Sequence, residues 1–350
     1  MSQGSTLMQA VREVADFAAR CANLANARLG AAVVSVTDEF FGARDRLIRI
    51  EAPSFDPDLY DDHGKYMDGW ESRRRRDGGH DHAIIRLGGA TIVRAVNIDT
   101  AFFTGNFPHA ASLQGAYHTG EGLPAESDYR PLVAMSRLGP DAAHWFEVAS
   151  DQPVTHLRLD MYPDGGIARL RLHGIPVSAP GAASGSASEE LSSILRGGRI
   201  LGYNDSHYGN PEVILYPDKG LDMGDGWETR RRREPGFDWI IVALGQAGTL
   251  DSVLVDTAHY KGNFPATCSM NGRLLKGTDL ALLDNPDALK ADSQFWPEIL
   301  PSQPLSADAE HSFDASQLSG VGPVSVVRFN IVPDGGISRL KLFGRAVSLG

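Results

Sequence analysis

The chain has 350 residues and a mass of 37.7 kDa, which predicts about two domains, each able to bury its own core. Apolar residues at 42%, charged residues at 22%, 38 glycines and 20 prolines exclude a disordered chain. Forty-four acidic against 33 basic residues leave a net charge of -11, which argues against a nucleic acid or an anionic membrane surface as partner.

The first residues, Met1–Phe17, include acids and no apolar stretch of signal-peptide type, and no long apolar run follows. A cytoplasmic protein without a membrane span is expected. Leu7, Val11, Val14, Ala18, Cys21 and Ala25 recur at helical spacing behind Ser5 or Thr6, predicting a short N-terminal amphipathic helix. Cys21 and Cys268 are the only cysteines, too few for a disulfide framework and not spaced as zinc ligands.

Further along, Asp68-Gly-Trp-Glu-Ser-Arg-Arg-Arg-Arg76 returns as Asp225-Gly-Trp-Glu-Thr-Arg-Arg-Arg-Arg233, and the alignment runs without a gap to Pro108 and Pro265. More than half of those positions are identical, so the chain contains an internal duplication. The same relation joins Thr37-Asp38 to Asn204-Asp205, Gly42 to Gly209, His144 to His311 and Pro163-Asp-Gly-Gly-Ile167 to Pro333-Asp-Gly-Gly-Ile337. Units of this length are domains rather than solenoid repeats. Small residues from Val177 to Ser188 read as flexible chain, which sets the divisions at 1–178 for the first repeat with its helix, 179–189 for a linker and 190–350 for the second repeat. Glu189–Arg196 predicts a second, shorter helix.

Strand signals dominate each unit. Residues 83–87, 92–98, 156–162 and 167–172 are short and largely alternating, and Asp164-Gly-Gly166 has the turn chemistry of a tight hairpin. The fold class expected is mainly β: two tandem jelly-roll sandwiches with function on the loops at one end.

On an extended tract Glu71, Arg73 and Arg75 share one face, and Ser72, Arg74 and Arg76 the other. Inward guanidinium groups need carboxylates, supplied either by the protein as an internal ion-pair network or by a bound acid. Asp99-Thr-Ala-Phe-Phe-Thr-Gly-Asn106 and Asp256-Thr-Ala-His-Tyr-Lys-Gly-Asn263 each follow a strand and place Asp, Asn and, in the second copy, His259 and Lys261 near a sandwich end. Such groups suit proton transfer and anion binding, or simply a folding turn. His144 and His311 pair across the copies, whereas His80, His82, His109 and His118 lack histidine counterparts and suit at most one site. No P-loop, His-Glu-x-x-His, Gly-x-Ser-x-Gly or dinucleotide fingerprint occurs.

These duplicated motifs, DGWExRRRR, DTAxxxGNFP and PDGGIxRL, with the His144 and His311 segments, resemble the allantoicase family over nearly all of residues 30–350. The resemblance implies paired galactose-binding-like jelly rolls, hydrolysis of allantoate to ureidoglycolate and urea in purine breakdown, and a homo-oligomer. It fixes no cofactor and leaves a divalent metal open. Allantoate is a carboxylate with two ureas on one carbon, so its site needs a cation, polar groups, and an acid and base. The expectation places catalysis on Glu228, His259 and Asp256, with Arg230, Arg231, Lys261, Asn263 and His311 binding substrate, and a weaker or different site on Glu71, Arg73, Arg74, Asp99, Asn106 and His144. A jelly-roll module that holds a carboxylate or carbohydrate without turnover is the alternative, and hydrolysis of a related ureido or amidino acid is a second one.

Overall fold

The computed structural model describes residues 14, 21–177 and 187–347. The chain divides into two compact units, Met1–Ala179 and Pro180–Gly350. Most of the predicted N-terminal helix and of the linker lies outside the described residues.

Each unit is a jelly-roll sandwich built around one 19-residue strand, Asp81–Asp99 in the first and Asp238–Asp256 in the second. The first half of Asp81–Asp99 pairs with Ala32–Val36 on one side and Pro153–Tyr162 on the other, and the latter continues through Ala110–Ala116 to Arg130–Arg137. Its second half lies between Ala143–Glu147 and Arg169–Pro176. A register shift between Arg86 and Thr91 lets the strand leave one layer for the other. Gly88 permits the crossing, since a Cβ there would lie 1.7 Å from the Leu29 carbonyl oxygen. The two separate strands predicted at 83–87 and 92–98 are thus one.

That crossing brings both ends of the strand to one end of the sandwich. Asp81 pairs with Met161 and Asp99 with Arg169, the residues flanking the turn at 163–165. The predicted hairpin is corrected accordingly: the turn joins strands of opposite layers, because each pairs with a different half of the long strand. Gly165 has φ 136, and a Cβ there would meet the Asn106 carbonyl oxygen at 2.6 Å. Only glycine serves at such a place. Tyr162–Pro163 and Val332–Pro333 are both cis.

The predicted helix at Glu189–Arg196 is replaced by a two-residue strand, Glu189–Glu190, and a 3-10 turn, Ile194–Arg196, closed by Gly197 at φ 98. Eight residues stopped by Gly197-Gly198 are too short to sustain a helix. The sheet edge takes them instead, with the Leu191 amide donating to the Leu342 carbonyl.

One buried ion pair holds each frame. Arg169 is buried and donates to Asp68 at 2.8 Å and to the Asp68, Ala168 and Glu51 carbonyls. Arg339 repeats this with Asp225 at 2.8 Å and Asp218 at 3.0 Å. Both guanidinium groups bind carboxylate and backbone oxygens together, the condition under which such a charge is tolerated inside. The same arginine of PDGGIxRL therefore clamps the aspartate that opens DGWE in each copy.

Candidate functional site

Trp70 and Trp227 are fully buried, and their indole N–H groups donate to the Asp38 and Asp205 carbonyls, both at 2.8 Å. This anchors the start of the arginine tract. Trp70–Glu71 pairs with Gly166–Ile167, and Trp227–Glu228 with Gly336–Ile337. Beyond Glu71 and Glu228 the tract leaves the sheet.

Alternate arginines then part company. Arg73 forks onto Asp38 at 2.8 and 2.6 Å, while its amide donates to the same carboxylate. Although burial pushes the Asp38 carboxyl up, these bonds from Arg73 hold it below its ordinary value. Arg75 pairs with Asp77 and with buried Asp81, whose Oδ1 also accepts from Thr37 at 2.7 Å. In the second repeat the Arg230 amide donates to Asp205, its side chain lies 3.6 Å from that carboxylate, and Arg232 pairs with Asp238. Arg74, Arg76, Arg231 and Arg233 are exposed and have no ion pair or hydrogen bond among the described residues. Neighbouring aspartates thus engage Arg73 closely and Arg230 at longer range, whereas Arg74 and Arg231 are open.

In the first repeat these groups border an open cleft of about 760 Å³, lined by Thr37, Asp38, Phe41, Arg73–Arg76, Asp77 and Asp81. Glu71, whose backbone carbonyl accepts from the amide of the cleft-lining Phe41, is buried, its Oε1 accepting from the Asn106 side chain at 2.8 Å. No cation pairs with this carboxylate among the described residues. Burial pushes Glu71 above its ordinary value, and the Asn106 bond only partly opposes this. Glu228 and Asn263 form the same contact at 2.5 Å, with Glu228 less deeply buried. Asn106 and Asn263 thus each hold a glutamate.

Other expected residues bond to nearby backbone or acids. His144 Nδ1 donates to the Ile98 carbonyl at 3.0 Å and Nε2 accepts from the Gly139 amide at 2.8 Å. His311 does the same with Val255 and Ser306, at 3.2 and 2.9 Å. Both ring nitrogens of each are used by backbone. Asp99 and Asp256 accept from the Ala101 and Ala258 amides at 2.8 Å, shaping the loop that follows, and burial raises both carboxyls against that bond. Asp256 is thereby a turn cap. His259, at φ 72, donates from Nε2 to the Gly220 carbonyl at 2.9 Å, and its amide meets Asp308 at 2.7 Å. Lys261 is exposed and 3.9 Å from Asp308. His80 bonds Asp160 and His82 faces the same aspartate across the strand pair, whereas His118 lies edge-on to His156 and His109 to Phe107. Burial pushes the Cys268 thiol up to about 12, which removes it as a nucleophile. No group of three or more His, Cys, Asp or Glu side chains among the described residues is arranged to hold a metal ion.

Sequence reasoning missed the acids that order the arginines: Asp38, Asp81 and Asp164 in one copy, Asp205, Asp238 and Asp334 in the other. Their recurrence in both copies was the available signal.

The model of the allantoicase repeat matches residues 22–177 and 189–347. A probable allantoicase of Stutzerimonas stutzeri is 47% identical over 327 residues, covering 93% of this chain and 96% of that one. One from Rhizobium meliloti is also 47% identical, over 330 residues, covering 94% and 95%. The crystal structure of allantoicase from Saccharomyces cerevisiae superposes with a TM-score of 0.77 at 31% identity, covering 98% of each chain.

Proposed function

Since the chain belongs to the allantoicase family in both of its repeats, we propose that the first repeat's cleft is where this hydrolase converts allantoate and water to ureidoglycolate and urea. The observation that carries this placement is a buried, uncompensated glutamate beside a cleft that presents arginines without partners. Relatives matching over nearly the whole length do not favour a module that only holds its ligand.

Arg74 and Arg76 take the substrate carboxylate, since their forks are unengaged and a guanidinium matches a carboxylate in two parallel bonds. Glu71, whose burial favours the protonated form, gives its proton to the nitrogen of the departing urea. The carbon–nitrogen bond breaks with its electron pair on that nitrogen. The lone pair of the other ureido nitrogen forms a transient carbon–nitrogen double bond. Water then adds its oxygen to the carbon and returns a proton to the Glu71 carboxylate, which restores the acid. Asn106 holds the glutamate in place through both steps.

The second repeat retains Glu228, Asn263 and Arg231 and supports a weaker site of the same kind, with His259 and Lys261 at its margin. Urea release from allantoate tests the reading: Glu71→Gln is expected to lower it by about 10²–10⁴-fold, and full turnover by that variant would overturn the assignment. Comparing allantoate with ureidoglycolate as substrates separates this activity from hydrolysis of a related ureido acid.

Likeness to the family supports a homo-oligomer, and the cysteine-poor composition supports a cytoplasmic setting. Among the described residues no helix is long and apolar enough to cross a membrane.

A further inference from the structure

We propose, on the reading that the reaction runs in the first repeat's cleft, that Phe41 is a specificity residue whose ring face stacks on a planar ureido group of the substrate. Phe41 lines the cleft and is 37% exposed. Its place is fixed relative to the proton donor by backbone. The Phe41 and Gly42 amides both donate to the Glu71 carbonyl, at 3.2 and 3.1 Å, and the Glu71 amide returns a bond to Gly42 at 3.1 Å. A Cβ on Gly42 would lie 2.3 Å from the Gly69 carbonyl oxygen, so the two segments are pressed together and the Phe41 main chain is fixed against Glu71.

The ring itself is braced. Phe40 meets it edge-on at 5.0 Å, and Phe40 is held in turn by His63 at 4.4 Å and by the Arg73 guanidinium at 5.3 Å. The second copy keeps an aromatic residue here. Tyr208 stands where the first copy has Phe41, and its amide donates to the Glu228 carbonyl at 3.2 Å, with the bridge shifted by one residue. An exposed aromatic tied to the glutamate recurs in both repeats, each ring T-shaped to the ring of the residue before it, at 5.0 Å for Phe40 and Phe41 and 4.4 Å for His207 and Tyr208. A flat, polar, conjugated urea is what an aromatic face beside paired arginines accommodates, with the carboxylate on the cations and the ureido plane on the ring.

The test uses the full chain, with steady-state urea release and inhibition by two probes. N-carbamoylglycine carries one carboxylate and one ureido group; acetate carries the carboxylate alone. Phe41→Ala is expected to raise KM for allantoate and the Ki of N-carbamoylglycine by roughly three- to tenfold, leaving kcat and acetate inhibition within about twofold. Phe41→Tyr, which installs the second copy's residue, is expected to restore both constants. Arg74→Ala should weaken both probes together. If Arg74→Ala impairs turnover but Phe41→Ala leaves KM and the N-carbamoylglycine Ki unchanged, the stacking role is overturned. If Arg74→Ala and Glu71→Gln leave turnover intact, the cleft itself was misassigned and the stacking role falls with it.

Discussion

The two repeats share a frame and differ in what is laid over it. Each has the 19-residue crossing strand, the buried arginine on an aspartate, the tryptophan on a backbone carbonyl and the glutamate on an asparagine. The differences lie in two connections. Between the 3-10 turn ending at Ile48 and Asp68 the first repeat inserts a small hairpin, Tyr60–Asp61 with Gly64–Lys65, whose neighbourhood stacks Phe55 on Phe102 at 5.7 Å. The second repeat has a shorter connection there, and His259 replaces Phe102. Between Arg273 and Glu298 the second repeat instead carries a helix, Pro286–Asp292, which buries Leu289 with Trp296 and Trp239. At the matching sheet position the first repeat has His82, paired in register with Asp160. Duplication preserved the load path and left the loops free to diverge, so the chemistry of one half cannot be inferred from the presence of its motifs in the other.

The largest expected effect probes the shared frame. Arg169→Ala and Arg339→Ala each take the buried guanidinium away from a buried aspartate and should each cost about 3–5 kcal/mol in denaturant unfolding, although Arg49 stays 3.3 Å from Asp68. A large loss for one and none for the other would break the equivalence of the frames. The proton-transfer assignment comes next. Glu71→Gln should lower kcat by about 10²–10⁴-fold and Glu228→Gln by less than about tenfold, a contrast that sharpens the comparison and whose reversal would move the reaction to the second repeat.

Acidity gives an independent check. Burial raises Glu71, so the folded chain holds this proton over a pH range in which the unfolded chain has released it, and stability from this group falls as pH rises through that range. Glu71→Gln should therefore not lower Tm at pH 7, while wild-type kcat should decline on the alkaline side as the acid is lost. Carboxylate capture is smaller: Arg74→Ala should raise KM by about 10–100-fold, against less than about threefold for Arg231→Ala. Smallest is His259→Ala, expected to change turnover by less than about threefold, because its Nε2 already serves the Gly220 carbonyl. Abolished urea release in that variant would restore the second repeat as the reacting half.

Much of this was legible in the sequence for a simple reason. A duplicated chain exposes its own constraints, and Trp70, Glu71 and the Pro163–Ile167 turn stand out because they recur. What stayed hidden was whatever depends on distant partners. Nothing near Asp68 announces Arg169, 101 residues away, and alternation along the arginine tract cannot say that Arg73 and Arg75 meet aspartates whereas Arg74 and Arg76 do not. His144 and His311 recur with both ring nitrogens on backbone, and recurrence marks structural necessity as readily as chemistry. The helix expected at 189–196 failed because an edge of sheet needing partners outweighed local helical spacing.

The strand Asp81–Asp99 belongs to both layers of its sandwich. Cutting or melting it anywhere would open both layers together, so the first repeat should lose structure as one cooperative block, with amide protons of Ile84 and Ile98 exchanging at a common slow rate. Motion that admits allantoate and releases urea is then confined to the connections at the end of the sandwich, and a split or permuted chain would tolerate new termini there but not within that strand.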